Sequence, residues 1–210
     1  MSPLLVALLG MFLIPLFVAS WRFSLLGLSG QGFLLAWMAY RAHPDPVSFD
    51  GMIVMADLVL IRGIGVPMAL YQVLRSQNIP RRNDVISPNL LSWTMTLVMV
   101  LLAFNFAALL VDGPGEPRYV VAVVVAGVML GFLILATPSG VFSQMVGALY
   151  IENAIALFEQ VGHGRPEPIG LRMGQIAAVT VTFLLCRWYL AILGKVPAAD
   201  TAEVLEGPAL

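Results

Sequence analysis

Apolar residues run through this chain in seven long blocks separated by short polar breaks. The blocks are Pro3 to Ser20, Phe23 to Tyr40, Gly51 to Leu74, Leu90 to Val111, Tyr119 to Thr137, Val141 to Val161 and Ile169 to Leu193. A bilayer core about 30 Å thick is crossed by about 20 apolar residues in helical conformation, and each block approaches that length. The blocks are continuously apolar and lack the two-residue alternation of barrel strands, so the pattern predicts helices. The expected fold class is an all-α integral membrane protein, a bundle of about seven transmembrane helices. Each backbone N–H and C=O then finds its partner within its own segment, as a hydrocarbon solvent demands.

Proline, glycine and charge punctuate the breaks. Ala42-His43-Pro44-Asp45-Pro46 closes the second span. Arg75 to Pro88, with Pro80, Arg81, Arg82 and Asn83, is the largest connection. Asp112-Gly113-Pro114-Gly115-Glu116-Pro117 reads as a turn, and Thr137-Pro138-Ser139-Gly140 as a close hairpin between spans five and six. Gly162 to Pro168 separates the last two spans, and the acidic tail from Pro197 is expected to be disordered. The first block could pass for a signal peptide ending at Val18-Ala19-Ser20. It lacks a basic leading region, however, and Trp21-Arg22 follows like an interfacial anchor, so it reads as a permanent span. The expected organisation is a four-helix part over 1–112, a three-helix part over 113–196 and a tail over 197–210.

Composition agrees with a membrane setting. Of 210 residues, 60% are hydrophobic and 11% charged, against about 25% charged in soluble domains. A water-soluble surface could not be covered with so few charges without large apolar patches. The formal net charge of −1 offers no attraction to nucleic acid. A single cysteine, Cys186, excludes a disulfide framework and a thiolate-held iron–sulfur cluster within the chain. His43 and His163 lie in polar connections, away from the depth at which a haem pair would sit. No Gly-rich phosphate loop follows a strand. No cofactor or metal is expected here, and any redox centre belongs to other chains.

Basic residues set the orientation. With seven spans, Arg22, Arg75, Arg81, Arg82, Arg187 and Lys195 fall on one side, and Arg41, Arg118, Arg165 and Arg172 on the other. The positive-inside rule then places the C-terminus in the cytoplasm and the N-terminus outside.

Candidate chemistry comes from charges at membrane depth, where an ionisable group costs about 2.5–3.5 kcal/mol on insertion scales. Arg62 is the most expensive, about 11 residues from either end of its span and too deep to snorkel. Asp57, five residues away, is rotated roughly 140° from it on an α-helix, so a partner on another helix is expected. Glu152, near the middle of the sixth span, is the candidate. Gly63, Gly65 and Pro67 predict a kinked or loosened helix just after Arg62. Gln144, Glu152 and Glu159 fall within one stripe of the sixth span and read as a polar track. Gln31 and Asn105 are expected to form hydrogen bonds between helices, and Gly27, Gly30, Gly32, Gly127 and Gly131 to allow close helix contacts. The expected proton or cation pathway therefore comprises Glu152, Arg62, Asp57, Glu159 and Gln144.

Several of these residues stand in runs that resemble the hydrogenase-4 component E family. The runs are Trp21-Arg22-Phe23-Ser24 with Gln31, Leu60-Ile61-Arg62-Gly63-Ile64-Gly65-Val66-Pro67, Asn78-Ile79-Pro80, Ser143-Gln144-Met145-Val146-Gly147 and Ile151-Glu152-Asn153. The similarity keeps its order from about Trp21 to Trp188. It implies a membrane subunit of a group 4 hydrogenase or formate hydrogenlyase-like complex, embedded in the bacterial inner membrane beside antiporter-like chains. It also implies that the last three helices are similar to the K-type subunit of respiratory complex I, with Glu152 at the position of that subunit's mid-helix glutamate. Arg62 stands where relatives often carry lysine, which keeps the charge but removes a titratable group. Relatives tend to carry a carboxylate early in the last span, where this chain has Arg172, Met173, Gly174 and Gln175. The resemblance implies a non-catalytic subunit that supports proton or cation translocation. The rival readings are a stand-alone small transporter, which would show interrupted helices in both halves, and a structural membrane spacer.

Overall fold

A computed structural model describes residues 1–18, 20–42, 48–76, 90–137, 141–161 and 169–193. These form seven helical runs: α1 (Pro3–Phe17), α2 (Trp21–Ala42), a third run made of α3 (Phe49–Ala56), a π-helical segment (Asp57–Gly65) and α4 (Val66–Ser76), then α5 (Leu90–Leu110), α6 (Glu116–Ala136), α7 (Val141–Val161) and α8 (Ile169–Leu193). The protein is an all-α membrane protein. Trp21–Ala42, Phe49–Arg75, Leu90–Leu110 and Glu116–Ala136 are long and apolar enough to cross a bilayer by length and composition alone. α7 has the length but carries Gln144, Glu152, Asn153, Glu159 and Gln160, which lower its hydropathy. The Arg75–Pro88 connection beyond Ser76, the His43–Pro46 break, the close hairpin expected at Thr137–Gly140 beyond Thr137, the Gly162–Pro168 link and the tail lie outside the described residues.

Local chemistry sets the helix starts. Pro3 opens α1, where its missing N–H costs nothing. Ser48 caps α3 by accepting a hydrogen bond from the Gly51 amide at 3.1 Å, which starts this run two residues before the apolar block. Between α5 and α6 the chain reverses through Gly113, whose φ of +82° suits glycine. Pro117 then sits in the first turn of α6.

α2 is the hub, packing on α1, α3, the π-segment, α4 and α7. α6 and α7 form the most extensive pair, with α5 on the outer side of α6 and α1 also against α6. The parts 1–112 and 113–196 thus share one core. Leu5, Leu8, Phe12 and Leu16 form the buried stripe of α1, and the Phe12 ring meets Tyr150 of α7 edge-on at 5.4 Å.

In lipid, apolar side chains gain nothing by leaving hydrocarbon, so close backbone packing and polar contacts must hold the helices together. The glycines supply that closeness. A Cβ on Gly131 would stand 2.9 Å from the Gly147 carbonyl oxygen, and one on Gly147 would meet the Gly131 oxygen at the same distance. Gly127 makes room for the Phe12 ring and the Ala154 methyl. On α5, by contrast, only Thr96, Ala103 and Ala107 are buried, and Leu90 and Leu109 are 78% and 84% exposed. That helix turns nearly its whole circumference outward.

Candidate functional site

A close backbone contact lies between α2 and the π-segment. A Cβ on Gly32 would fall 2.6 Å from the Gly63 backbone and 2.9 Å from the Leu58 carbonyl oxygen. The two main chains touch without intervening side chains. Ser29, one turn before Gly32, donates its hydroxyl proton to the Gly63 carbonyl at 2.6 Å, tying α2 to the irregular segment.

The π-segment changes which side chains meet. In an α-helix residues five apart point in different directions, but a π-helix bonds residue i to i+5 and stacks them on one face. Asp57 and Arg62 are the pair so aligned, and Arg62 Nε donates to Asp57 Oδ2 at 3.0 Å in a buried ion pair. The expectation that Asp57 could not reach Arg62 along its own helix is corrected here. Its premise, α-helical periodicity, does not hold between residues 57 and 65.

The cross-helix partner also differs from the expected one. Arg62 Nη1 donates to the Glu152 backbone carbonyl at 3.0 Å and to Asn153 Oδ1 at 3.2 Å. The Glu152 carboxylate takes no part, and no described residue holds it in an ion pair. The α7 wheel explains this: Asn153 is buried facing α2 and the π-segment, while Glu152, 100° away, is only half-buried. The network continues as Asn153 Nδ2 donates to Gln31 Oε1 at 2.9 Å. Gln31 is fully buried and bridges helices as expected. Tyr150, one turn before Asn153 on α7, is also fully buried and donates to the Met11 carbonyl at 3.2 Å.

Gln31, Arg62 and Asn153 each lie near the middle of their helical runs, which puts this junction about halfway along the bundle. Two of its polar atoms, Asp57 Oδ1 and Gln31 Nε2, are buried with no hydrogen-bond partner among the described residues. Such an atom costs about 1–3 kcal/mol when left dry and is a place for ordered water. A guanidinium offers hydrogen-bond donors only. The groups of the junction and its rim able to exchange a proton are therefore the carboxyls of Asp57 and Glu152.

The remaining expected site residues lie apart. Gln144 is exposed on α7 about 12 Å along the axis from Glu152 at 1.5 Å per residue. Glu159 is half-buried two turns beyond Glu152 in the other direction. They share the stripe of Glu152, but not the junction. Asn105 forms no bridge between helices: it is exposed, and its amide donates to the Leu101 carbonyl of its own helix at 2.8 Å. Sequence reasoning missed Asn153 as the Arg62 partner, Ser29 as a backbone tie and Tyr150 as a buried donor. The available signal was polar side chains at mid-span, each of which needs a hydrogen-bond partner in hydrocarbon. Among the described residues no three His, Cys, Asp or Glu side chains converge as metal ligands would.

No protein-family model matches the chain, and no curated protein or solved structure is detectably similar to it.

Proposed function

We propose that this chain is a non-catalytic membrane subunit of a complex I-like or group 4 hydrogenase-like assembly. In this reading it supports proton or cation translocation and joins antiporter-like subunits side by side in the bacterial inner membrane. Its N-terminus faces outward and its C-terminus the cytoplasm. The observation that carries the reading is a charged junction about halfway along the bundle, Asp57–Arg62–Asn153–Gln31, with the Glu152 carboxyl at its rim. Ionisable groups at that depth are expensive and serve function by default. Gln31, Arg62 and Asn153 also stand within the runs that resemble the hydrogenase-4 component E family. Asp57 Oδ1 and Gln31 Nε2 give water a foothold beside the carboxyls, which proton transfer across an apolar span requires.

The role of each group follows from its chemistry. Arg62 is a positive charge held within the junction by its three acceptors. Asp57 neutralises it, and Glu152 is the acid free to load and release a proton. The test uses the complete assembly in inside-out membrane vesicles, with proton uptake measured during turnover of the catalytic partners. Glu152→Gln is expected to leave the assembly intact and to lower uptake per turnover at least about tenfold, the upper range of a lost general acid–base group being larger still. Undiminished uptake with normal assembly would contradict the proposal.

One observation favours the structural spacer as a second reading. Arg62 is engaged by a carboxylate, an amide oxygen and a main-chain carbonyl, which is how a lock between helices is built. The same uptake measurement separates the two. Cation flux through the purified chain alone in liposomes would instead favour a stand-alone transporter.

A further inference from the structure

At the end of the α5–α6 hairpin, away from the Arg62 junction, a cleft of about 260 Å³ is lined by Phe104 and Asn105 of α5, Pro114 of the turn, and Arg118, Tyr119 and Ala122 of α6. We propose that this cleft binds the phosphate head group of an anionic phospholipid. The inference stands independently of the function proposed above and requires only that the chain spans a membrane.

Arg118 and Tyr119 lie in the first turn of α6, at the level where arginine and tyrosine mark the membrane–water interface. Asn105 lies five residues before the end of α5, about 7.5 Å deeper along a helix. The polar layer of a bilayer is about 5–7 Å thick on each side. The cleft therefore presents a cation at the level of a lipid phosphate and an amide at the level of the glycerol esters.

No described residue accepts a hydrogen bond from Arg118 or pairs with it, although Asp112 and Glu116 stand in the adjoining turn. Its planar fork of N–H donors matches phosphate oxygens. Asn105 is an amide on an otherwise apolar outer face. One of its N–H groups serves the Leu101 carbonyl, which leaves a second N–H and the amide oxygen's lone pairs for a ligand. Exposed Leu101, Leu102 and Val98 continue from Asn105 along the same side of α5. They offer an acyl chain a track beneath the head group. A soluble phosphate would use the cation but gain nothing from that track.

The test is lipid retention by the full chain in detergent, read by native mass spectrometry. Phosphatidylglycerol and phosphatidylcholine with identical acyl chains are offered in competition, and inorganic phosphate in a separate arm. Both lipids offer a phosphate, but the choline ammonium of phosphatidylcholine offsets its charge, so the wild type is expected to prefer phosphatidylglycerol about tenfold. Arg118→Gln should abolish the preference, and Asn105→Leu should weaken retention of both lipids several-fold. Each variant is checked for unchanged helical content by circular dichroism. An unaltered preference in Arg118→Gln, with Asn105→Leu also unaffected, would overturn the proposal. Displacement of the lipid by inorganic phosphate alone would assign the cleft to a soluble anion and overturn it as well.

Discussion

Arg62 is met by three different acceptors: the carboxylate of Asp57, the amide oxygen of Asn153 and the main-chain carbonyl of Glu152. A main-chain acceptor survives substitution of its own side chain, and this separates two neighbouring positions. Glu152→Gln should change stability in detergent micelles by no more than about 0.5 kcal/mol. Asn153→Leu removes an acceptor from Arg62 and a donor from Gln31 at once, and should cost about 1–3 kcal/mol. Equal costs for the two, measured by denaturant or thermal unfolding, would mean that the Glu152 carboxyl holds Arg62 after all. The need for a partner was legible in the sequence, because a guanidinium 11 residues or so from each end of an apolar block cannot reach water. The partner itself was not. Glu152 is the nearest acid on another span at the right depth, and charge alone picks it out. Which of two adjacent α7 residues turns toward α2 depends on how Gly131 and Gly147 seat that helix against α6, a packing decision that charge does not report.

At the scale of elements, the π-segment is what makes the charge pair local. Asp57 and Arg62 meet because π-helical i to i+5 bonding brings residues five apart onto one side, and the widened turn rests directly on α2 at Gly32 and Gly63. Gly63, Gly65 and Pro67 mark a loosened helix in the sequence, and a loosened helix is found. The form of the loosening was hidden. A kink and a π-turn draw on the same residues, and only the Gly32 contact on another helix fixes the register. Gly32→Ala should therefore be costly, since its methyl would stand 2.6 Å from backbone atoms that have no side chain to rotate away. A loss of about 1–3 kcal/mol is expected from overpacking, together with weakening of the Ser29–Gly63 bond. Gly10→Ala, where an added methyl meets nothing within 4 Å, should be neutral or slightly stabilising through helix propensity. Equal behaviour of the two variants in thermal unfolding would show that the close approach does not constrain the helices.

Across the whole molecule, seven blocks in the sequence became seven helical runs because continuous apolar stretches of this length have one way to satisfy their backbone in hydrocarbon. Their arrangement depended on small residues and could not be read from hydropathy. α6 packs against α1 and α7 against α2, so residues far apart in the chain build one core around α2. The Arg62 junction lies within that core, while α5 faces outward and frames the lipid cleft. Asp57 and Arg62 act as one unit, in a register that places the charge pair among α2, α7 and the third run. A double-mutant cycle with Asp57→Asn, Arg62→Gln and the combined variant, unfolded in detergent micelles, tests this coupling most directly. Asp57→Asn should cost about 3–5 kcal/mol, because it leaves a buried guanidinium without its counter-charge. The combined variant should recover about 1–3 kcal/mol relative to the sum of the two single changes. Strict additivity would show that the two charges do not interact.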